Sequence, residues 1–223
     1  MKIITLIIYF LSLSSFSQNK GANHWLDQNG DFVEKNNRMS LYKSFPDNSV
    51  GFRKTIDSGM VYQYNSPKYS TYKVDYEIIK KEIEKITNKT FNDSTIFLLN
   101  FNYFNDNCSD WFSNNMTKSL IYNRKESLNS IKKQLEKKYI NVVFLSFFDV
   151  SIKLKNSVNS KREYFYSDSN SFFRLNLFTH PTVCGSFGLI KPNGETLIRN
   201  GEYRPDSMAD HLDNEIWNSI FQQ

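Results

Sequence analysis

Two nearly continuous apolar runs, at residues 96–101 and 142–148, constrain the fold of this chain more than any other feature of its sequence. Each run has the length of a β-strand, and an apolar pattern that does not alternate is typical of a strand buried on both faces. Because strands joined through a helix lie parallel in one sheet, we expect the two runs to be parallel neighbours. The sequence between them predicts an amphipathic helix from about Ser127, with apolar residues at helical spacing: Leu128, Ile131, Leu135 and Tyr139.

Further elements are predicted on both sides of this unit. Upstream, a stripe of isoleucines with Asp75 as N-cap predicts a helix over 75–88. Downstream, either Asp168 or Ser169 is the predicted N-cap of a second helix. That helix would carry a cluster of apolar residues: Phe172, Phe173, Leu175 and Phe178.

The C-terminal part is predicted to form a hairpin and a helix. A Lys-Pro-Asn-Gly turn at 191–194 separates short apolar runs at 187–190 and 196–199, which predicts an antiparallel pair. Pro205 suits the first position of a helix, and apolar residues at helical spacing extend that helix to Ile220.

Residues 18–74 are predicted to form a β-rich extension in front of these elements. An Asn-Gly pair at 29–30 stands between the apolar residues Leu26 and Phe32, a pattern typical of a β-hairpin. The run at 60–64 predicts another strand.

The first residues predict export. A positively charged start precedes an apolar run at 3–13, which is shorter than the ~20 residues that span a bilayer. Ser15 and Ser17 stand at the −3 and −1 positions of a cleavage site before Gln18, so 1–17 is predicted to be a secretory signal peptide. We therefore expect a periplasmic or extracellular protein with no transmembrane segment in the mature chain.

Composition and motifs exclude several classes of protein. Hydrophobic residues make up 39% and aromatic residues 16%, enough to fill a core, which excludes wholesale disorder. Two cysteines exclude a cysteine-dense scaffold and a zinc site made of Cys alone. The formal net charge is +5, but lysines interleave with glutamates in stretches such as 80–85, so we expect a solvated helix face and no nucleic-acid binding. No Gly-rich phosphate loop, His-Glu-x-x-His or Gly-x-Ser-x-Gly motif occurs.

The chain resembles a known family over about residues 95–215. The stretch 184–195, with Gly201 and the last helix, is similar to the C-terminal end of the thioredoxin-like superfamily: apolar strand, Asn-Gly turn, second strand, glycine, helix. The strand at 98–101 leads toward Cys108 and is similar to the strand before that family's Cys-x-x-Cys motif. The resemblance is to the extracytoplasmic thiol–disulfide oxidoreductase branch, whose members also follow signal peptides.

The resemblance implies an α/β fold with a thioredoxin-like mixed sheet flanked by helices over 95–223. In front of it stand the β-containing extension and a connecting helix at 75–94. The sequence departs from the family in two places. The segment at Cys108 has one cysteine where the family has two, and no proline stands near Gly185, where the family carries its cis-proline. These departures imply a degenerate redox site.

Cys108 and Cys184 are the only cysteines of the chain, and an oxidising compartment favours their pairing. The resemblance implies that they are neighbours, since it places Cys108 at a helix start and Cys184 beside the position of the cis-proline. Four interpretations stay open, and one of them is that the two thiols do not pair. The pair could be a structural disulfide, a redox-active pair in which the helix start activates Cys108, or, together with His180, a soft metal site suited to copper(I).

The sequence therefore predicts an exported thioredoxin-like protein that acts as a non-catalytic binding or structural module of the cell envelope or secretome. No cofactor is expected, and the partner is unidentified, with another exported protein as the candidate. The first alternative is a thiol–disulfide oxidoreductase whose catalytic residues are Cys108 and Cys184. The second is a copper-binding protein.

Overall fold

The structure is a computed structural model that describes residues 22–27, 31–34, 49–56, 59–106, 108, 113–157 and 159–221. The predicted signal peptide lies outside the described residues. The strands are β1 (Ala22–Leu26), β2 (Ser49–Ile56), β3 (Gly59–Pro67), β4 (Tyr69–Lys73), β5 (Ile96–Asn102), β6 (Asn115–Met116), β7 (Val142–Asp149), β8 (Lys153–Leu154), β9 (Phe165–Asp168), β10 (Ser186–Ile190) and β11 (Glu195–Asn200). The α-helices are α1 (Tyr76–Thr87), α2 (Lys118–Lys138), α3 (Phe172–Asn176), α4 (Pro205–Ala209) and α5 (Asn214–Phe221).

A six-stranded mixed sheet with the order β4-β11-β10-β5-β7-β9 carries the fold. Strand β5 runs parallel to β7, whereas β10 runs antiparallel to both β5 and β11. The four middle strands are thus a strand–helix–strand unit followed by a hairpin that is added beside the first strand, which is the thioredoxin-like arrangement. The predicted parallel pair and the predicted hairpin are both confirmed.

The two edge strands extend this arrangement. Strand β4 pairs antiparallel with β11, so the sheet takes one strand from the predicted N-terminal extension. Strand β9 pairs parallel with β7 at the other edge. Strand β9 is not predicted by the sequence, because it has only four residues and its apolar pattern is confined to Phe165 and Tyr166.

Helix α1 forms where the isoleucine stripe predicts it. The Asp75 side chain accepts hydrogen bonds from the backbone N–H groups of Glu77 and Ile78, at 3.0 and 3.2 Å, and so acts as the predicted N-cap. Ile79 and Ile83 are buried against the sheet. The helix ends at Asn88, which adopts a left-handed conformation.

Helix α2 begins nine residues before the predicted start at Ser127. Thr117 is its N-cap, and its side chain accepts a hydrogen bond from the backbone N–H of Leu120 at 3.3 Å. The first turns bury Ile121 and Arg124. The charged Arg124 at a buried position interrupts the apolar stripe. For this reason the apolar pattern predicted the start of the helix only at Ser127.

The predicted final helix is broken into three pieces, which corrects the prediction of one continuous helix. Helix α4 leads into a 3₁₀ turn at Asp210–Leu212, and α5 starts afresh at Asn214. Asp213 has an extended backbone, and its side chain accepts a hydrogen bond from the N–H of Glu215 at 2.9 Å. Asp213 therefore ends one helical segment and caps the next.

Asp168, one of the two predicted N-caps, binds the backbone at the start of α3. The Asp168 carboxylate accepts hydrogen bonds from the backbone N–H groups of Phe173 and Arg174, at 3.2 and 2.9 Å. The N-cap position itself is Ser171. Phe173 and Phe178 are fully buried and belong to the hydrophobic core.

Two smaller sheets accompany the main one, β1-β3-β2 and β6-β8. The predicted hairpin is supported by an antiparallel bridge between Leu26 and Phe32, while its Asn-Gly turn lies outside the described residues. The predicted strand at 60–64 is part of β3. Among the described helices, none has the length and apolarity needed to cross a membrane.

Candidate functional site

The two cysteines form a disulfide at one end of the central strands. Cys108 follows β5 and Cys184 precedes β10, with their Cα atoms 4.9 Å apart across a sequence separation of 76 residues. In the antiparallel pair of β5 and β10, Phe101 lies opposite Ser186. The end of one strand therefore lies beside the start of the other, and this register brings the cysteines together. The implied proximity is confirmed, and the disulfide indicates an oxidising compartment.

The helix start that the resemblance implies at Cys108 stays a prediction, because it depends on the residues directly after Cys108. The next described helix is α2, whose first residue is Lys118. Residues 107 and 109–112 lie outside the described residues. A helix N-terminus lowers the pKa of a thiol that lies in or against its first turn, and Cys108 is not part of the first turn of α2.

A buried carboxylate holds the backbone on both sides of the disulfide. Asp106 is 7% exposed, and its Oδ1 accepts hydrogen bonds from the N–H of Cys108 at 3.1 Å and of Cys184 at 3.0 Å. Burial raises the pKa of this carboxyl group, while backbone N–H groups and Arg124 oppose the rise. Its second oxygen, Oδ2, has no hydrogen-bond partner among the described residues.

Arg124 brings a buried positive charge to the same region. Its Nη2 donates a 2.5 Å hydrogen bond to Asn102 Oδ1, and its guanidinium lies 5.4 Å from the ring centre of Phe148. Burial lowers the pKa of Arg124 to about 10, and attraction to Asp106 opposes this. Both residues line a cavity with room for about one water molecule.

A chain of polar side chains continues from Arg124 across the sheet. Asn102 donates to Ser146 Oγ at 3.0 Å, and Ser146 in turn donates to Asn100 Oδ1 at 3.1 Å. On β10, Ser186 Oγ lies 3.0 Å from the hydroxyl of Tyr103 and donates to Asn200 Oδ1 at 3.1 Å. All six of these side chains are buried. The disulfide therefore stands next to a satisfied polar network inside the sheet.

The segment that presents Cys184 has an unusual backbone. Cys184 and Gly185 have φ angles of +69° and +74°. A Cβ on Gly185 would lie 2.5 Å from the carbonyl oxygen of Phe101, so only glycine fits at this point without a backbone shift. Thr182 fixes the turn, since its hydroxyl donates to the carbonyl of Gly185 at 2.8 Å and accepts from the N–H of Gly201 at 2.9 Å.

A groove of about 340 Å³ opens beside Cys184, between α2 and the start of α4. We call it the Cys184 groove. Its walls combine apolar and aromatic side chains with two arginines. They include Leu128, Ile131, Phe187, Tyr203, Pro205, Arg124 and Arg204. Arg204 forms an ion pair with Asp206 at 2.7 Å on the rim.

His180, the third residue of the predicted copper site, is half-buried, and its Nδ1 lies 3.0 Å from Thr179 Oγ1. Both cysteine sulfurs are bonded to each other. Within the described ranges, no three His, Cys, Asp or Glu side chains are grouped as a metal site would require.

Sequence reasoning missed Asp106 and Arg124. Asp106 stands two residues before Cys108 in a polar loop, where a carboxylate is ordinary. Arg124 follows no motif, and its role depends on burial. The one available signal was a charged residue at an inward-facing helical position three residues after Ile121.

The solved structures that are similar to this chain include two secreted or redox-active proteins of one organism. One is Mycobacterium tuberculosis DsbF in mixed oxidised and reduced forms, at 12% identity, covering 53% of this chain and 79% of that chain with a TM-score of 0.33. The other is a secreted Mycobacterium tuberculosis disulfide oxidoreductase homologous to E. coli DsbE, at 9% identity, covering 53% and 81% with a TM-score of 0.31. No protein-family model and no curated protein matches the chain. The assignment to the thioredoxin-like fold stands on the strand order and directions given above.

Proposed function

We propose that this chain is an exported, non-catalytic thioredoxin-like module that binds another exported protein, and that its disulfide is a structural staple. The observation that carries the proposal is the Asp106 carboxylate, which accepts hydrogen bonds from the backbone N–H groups of both cysteines. Thiolate nucleophiles need a helix N-terminus, a nearby cation or a Cys-x-x-Cys motif. Here the group fixed to both cysteine backbones is a carboxylate.

The position of the bond suits a staple. It closes a loop of 76 residues that includes α2, β7, β9 and α3. In the chain-entropy model, closure of such a loop stabilises the folded state by about 4 kcal/mol. The bond also anchors the segment that places Cys184 beside the Cys184 groove.

The Cys184 groove is the surface that we assign to the partner. Its apolar lining is supplied by Leu128, Ile131, Phe187, Tyr203 and Pro205. Shallow apolar grooves of this kind bind single apolar side chains of an extended segment. The proposed occupant is therefore an extended segment of a partner protein that inserts one apolar side chain beside Cys184.

The redox part of the proposal is tested by the midpoint potential of the cysteine pair. A structural pair is expected below about −300 mV and should show no insulin-reduction activity. The variant Cys108→Ser/Cys184→Ser should lose about 2–5 kcal/mol of unfolding free energy. A potential between about −120 and −270 mV, with unchanged stability of the double variant, would contradict the staple.

The binding part is tested by site-specific photo-crosslinking in the exported fraction of the native host. A crosslinker at Ile131, inside the groove, should give one discrete adduct. A crosslinker at Lys73, an exposed position on β4, is the control and should not give that adduct. The same adducts from both positions would contradict the assignment of the groove.

Thiol–disulfide exchange is the second candidate, favoured because Cys184 lines the groove and has a left-handed backbone. A partner thiolate would attack Cys184 Sγ and form a mixed disulfide, and Cys108 would leave as a thiolate that takes up a proton. A second partner thiolate would then resolve the mixed disulfide, leaving the partner oxidised and this chain reduced. The midpoint potential separates this candidate from the first.

A further inference from the structure

A second cleft lies on the other flank of α2, between that helix and the segment 160–164 that leads into β9. Its volume is about 770 Å³, within the range of ligand pockets. We call it the basic cleft. Its lining includes two carboxylates, Glu136 and Glu163, and six cations: Lys125, Lys132, Lys133, Lys137, Lys161 and Arg162.

Both carboxylates of the basic cleft are already engaged by the protein. Glu163 is 3% exposed, and its Oε1 accepts from Lys125 Nζ at 2.5 Å and from the N–H groups of Tyr164 and Phe165 at 2.9 Å each. Glu136 forms an ion pair with Lys132 through Oε2 and accepts from the N–H of Phe144 through Oε1 at 3.1 Å. Neither carboxylate is left to neutralise the other cations.

Four cations of the basic cleft have no carboxylate partner in the part of the chain that the structure describes: Lys133, Lys137, Lys161 and Arg162. All four side chains are exposed. Lys133 and Lys137 are one turn apart on α2, where like charges repel each other, and Lys161 and Arg162 are adjacent on the facing wall. An anion between the walls would relieve the repulsion on both sides.

The facing wall is held in place by hydrogen bonds. Lys89 Nζ donates to the carbonyl oxygens of Glu163 and Lys161 at 2.6 and 3.3 Å, and the Tyr164 hydroxyl donates to Asn129 Oδ1 at 3.0 Å. Burial lowers the pKa of Lys89, and repulsion from Lys132 lowers it further, which is consistent with a positive potential here. The backbone that carries the cations is therefore held in place, so binding has to order only the cation side chains themselves.

We propose that the basic cleft binds a multivalent oxyanion, a ligand with two or more phosphate or sulfate groups. Lys133 and Lys137 bind it from α2, and Lys161 and Arg162 bind it from the facing wall. Phosphate and sulfate present the same tetrahedral oxygens to ammonium and guanidinium groups, and arginine can donate two parallel hydrogen bonds to them. The ligand is either free or carried on a polysaccharide. This site is independent of the disulfide and of the Cys184 groove.

Isothermal titration calorimetry of the full chain tests the proposal with two probes, inorganic tripolyphosphate and a heparin-derived hexasaccharide. The variant Lys133→Gln/Lys161→Gln removes one cation from each wall, and we expect it to weaken binding about tenfold, or about 1.4 kcal/mol. The matched control is Lys73→Gln/Lys118→Gln, which removes the same charge. Lys73 lies on the opposite edge strand, and Lys118 lies on the order of 20 Å from Lys133 along α2. The control should change binding less than about twofold.

The proposal is supported if tripolyphosphate binds and the Lys133→Gln/Lys161→Gln variant weakens this binding while the control variant does not. This result would also show that a free oxyanion is a sufficient ligand. Binding of the hexasaccharide alone, with the same selectivity, supports it and identifies a polysaccharide as the carrier. Two results would overturn it. One is no binding of either probe at low salt, and the other is equal weakening by the two variants, which would show that only net charge matters.

Discussion

The positively charged residues on the two flanks of helix α2 lie in different environments. On the flank toward the disulfide, Arg124 is buried, hydrogen-bonded to Asn102 and attracted by Asp106. On the other flank, Lys133 and Lys137 are exposed and have no carboxylate partner within the described ranges. The charge on the first flank is used inside the protein, whereas the second flank, besides its paired Lys125 and Lys132, leaves exposed lysines to the solvent or a ligand.

This difference has an energetic consequence. A buried charge is costly unless it is paired, so removal of one partner leaves the other uncompensated. An exposed lysine is solvated in both the folded and unfolded states, and its removal changes stability little. Substitutions on the two flanks should therefore separate stability from ligand binding.

The largest effect is expected from Arg124→Ala. This variant removes the donor to Asn102 and the charge that attracts Asp106, and it enlarges the cavity beside them. We expect a loss of about 3–5 kcal/mol in unfolding free energy, measured by urea denaturation. Lys118→Ala, an exposed change on the same helix, is the control and should stay within about 0.5 kcal/mol. Similar small losses in both variants would show that the two flanks do not differ.

The next effect concerns the turn that presents Cys184. Gly185→Ala adds a Cβ at a left-handed position and brings it to 2.5 Å from the Phe101 carbonyl oxygen. We expect a loss of about 2 kcal/mol or more, since the backbone must shift. Thermal unfolding of the oxidised variant measures the loss. Stability equal to that of the unaltered chain would mean that the turn adapts without strain.

A smaller effect should appear in the pH dependence of stability. Burial raises the pKa of Asp106 above its ordinary value of 3.8, so the folded chain holds this proton more tightly than the unfolded chain. The contribution to stability is present in full below the unfolded pKa and is lost as pH rises through the folded pKa. Asp106→Asn keeps an oxygen for the two cysteine N–H groups but does not titrate.

The free energy of unfolding of the unaltered chain, minus that of Asp106→Asn, should therefore decrease as pH rises from about 3 to 7. Urea denaturation across this range measures it. A difference that increases with pH would mean that Arg124 and the backbone N–H groups outweigh burial at Asp106.

The smallest stability effect is expected on the exposed flank. Lys133→Gln/Lys161→Gln should change the unfolding free energy by less than about 0.5 kcal/mol, because neither lysine has a carboxylate partner among the described residues. Urea denaturation without added anion measures it. A loss above about 1 kcal/mol would show that these lysines stabilise the fold itself, in contrast to the role assigned to the basic cleft.

Elements that depend on strong local patterns could be predicted from the sequence. The buried strands at 96–101 and 142–148, the 191–194 turn and the Asp75 cap each depend on a few adjacent residues, and each was predicted correctly. The buried position of Arg124 could not be predicted, because a charged residue is expected to face solvent unless its partners are known. Those partners come from β5 and the following loop and meet α2 only in the fold. The Cys108–Cys184 pair was anticipated only through the family resemblance and the compartment.

The order of the two cysteines along the chain also matters while the protein is being made. Cys184 is synthesised 76 residues after Cys108. A chain exported from its N-terminus would therefore expose Cys108 as a single unpaired thiol until β10 arrives and pairs with β5. During that interval any other oxidised thiol in the compartment can capture Cys108. If the chain is exported as proposed, correct oxidation would thus depend on the relative speeds of translocation and mispairing, and slow translocation would increase the fraction of chains joined to the wrong partner.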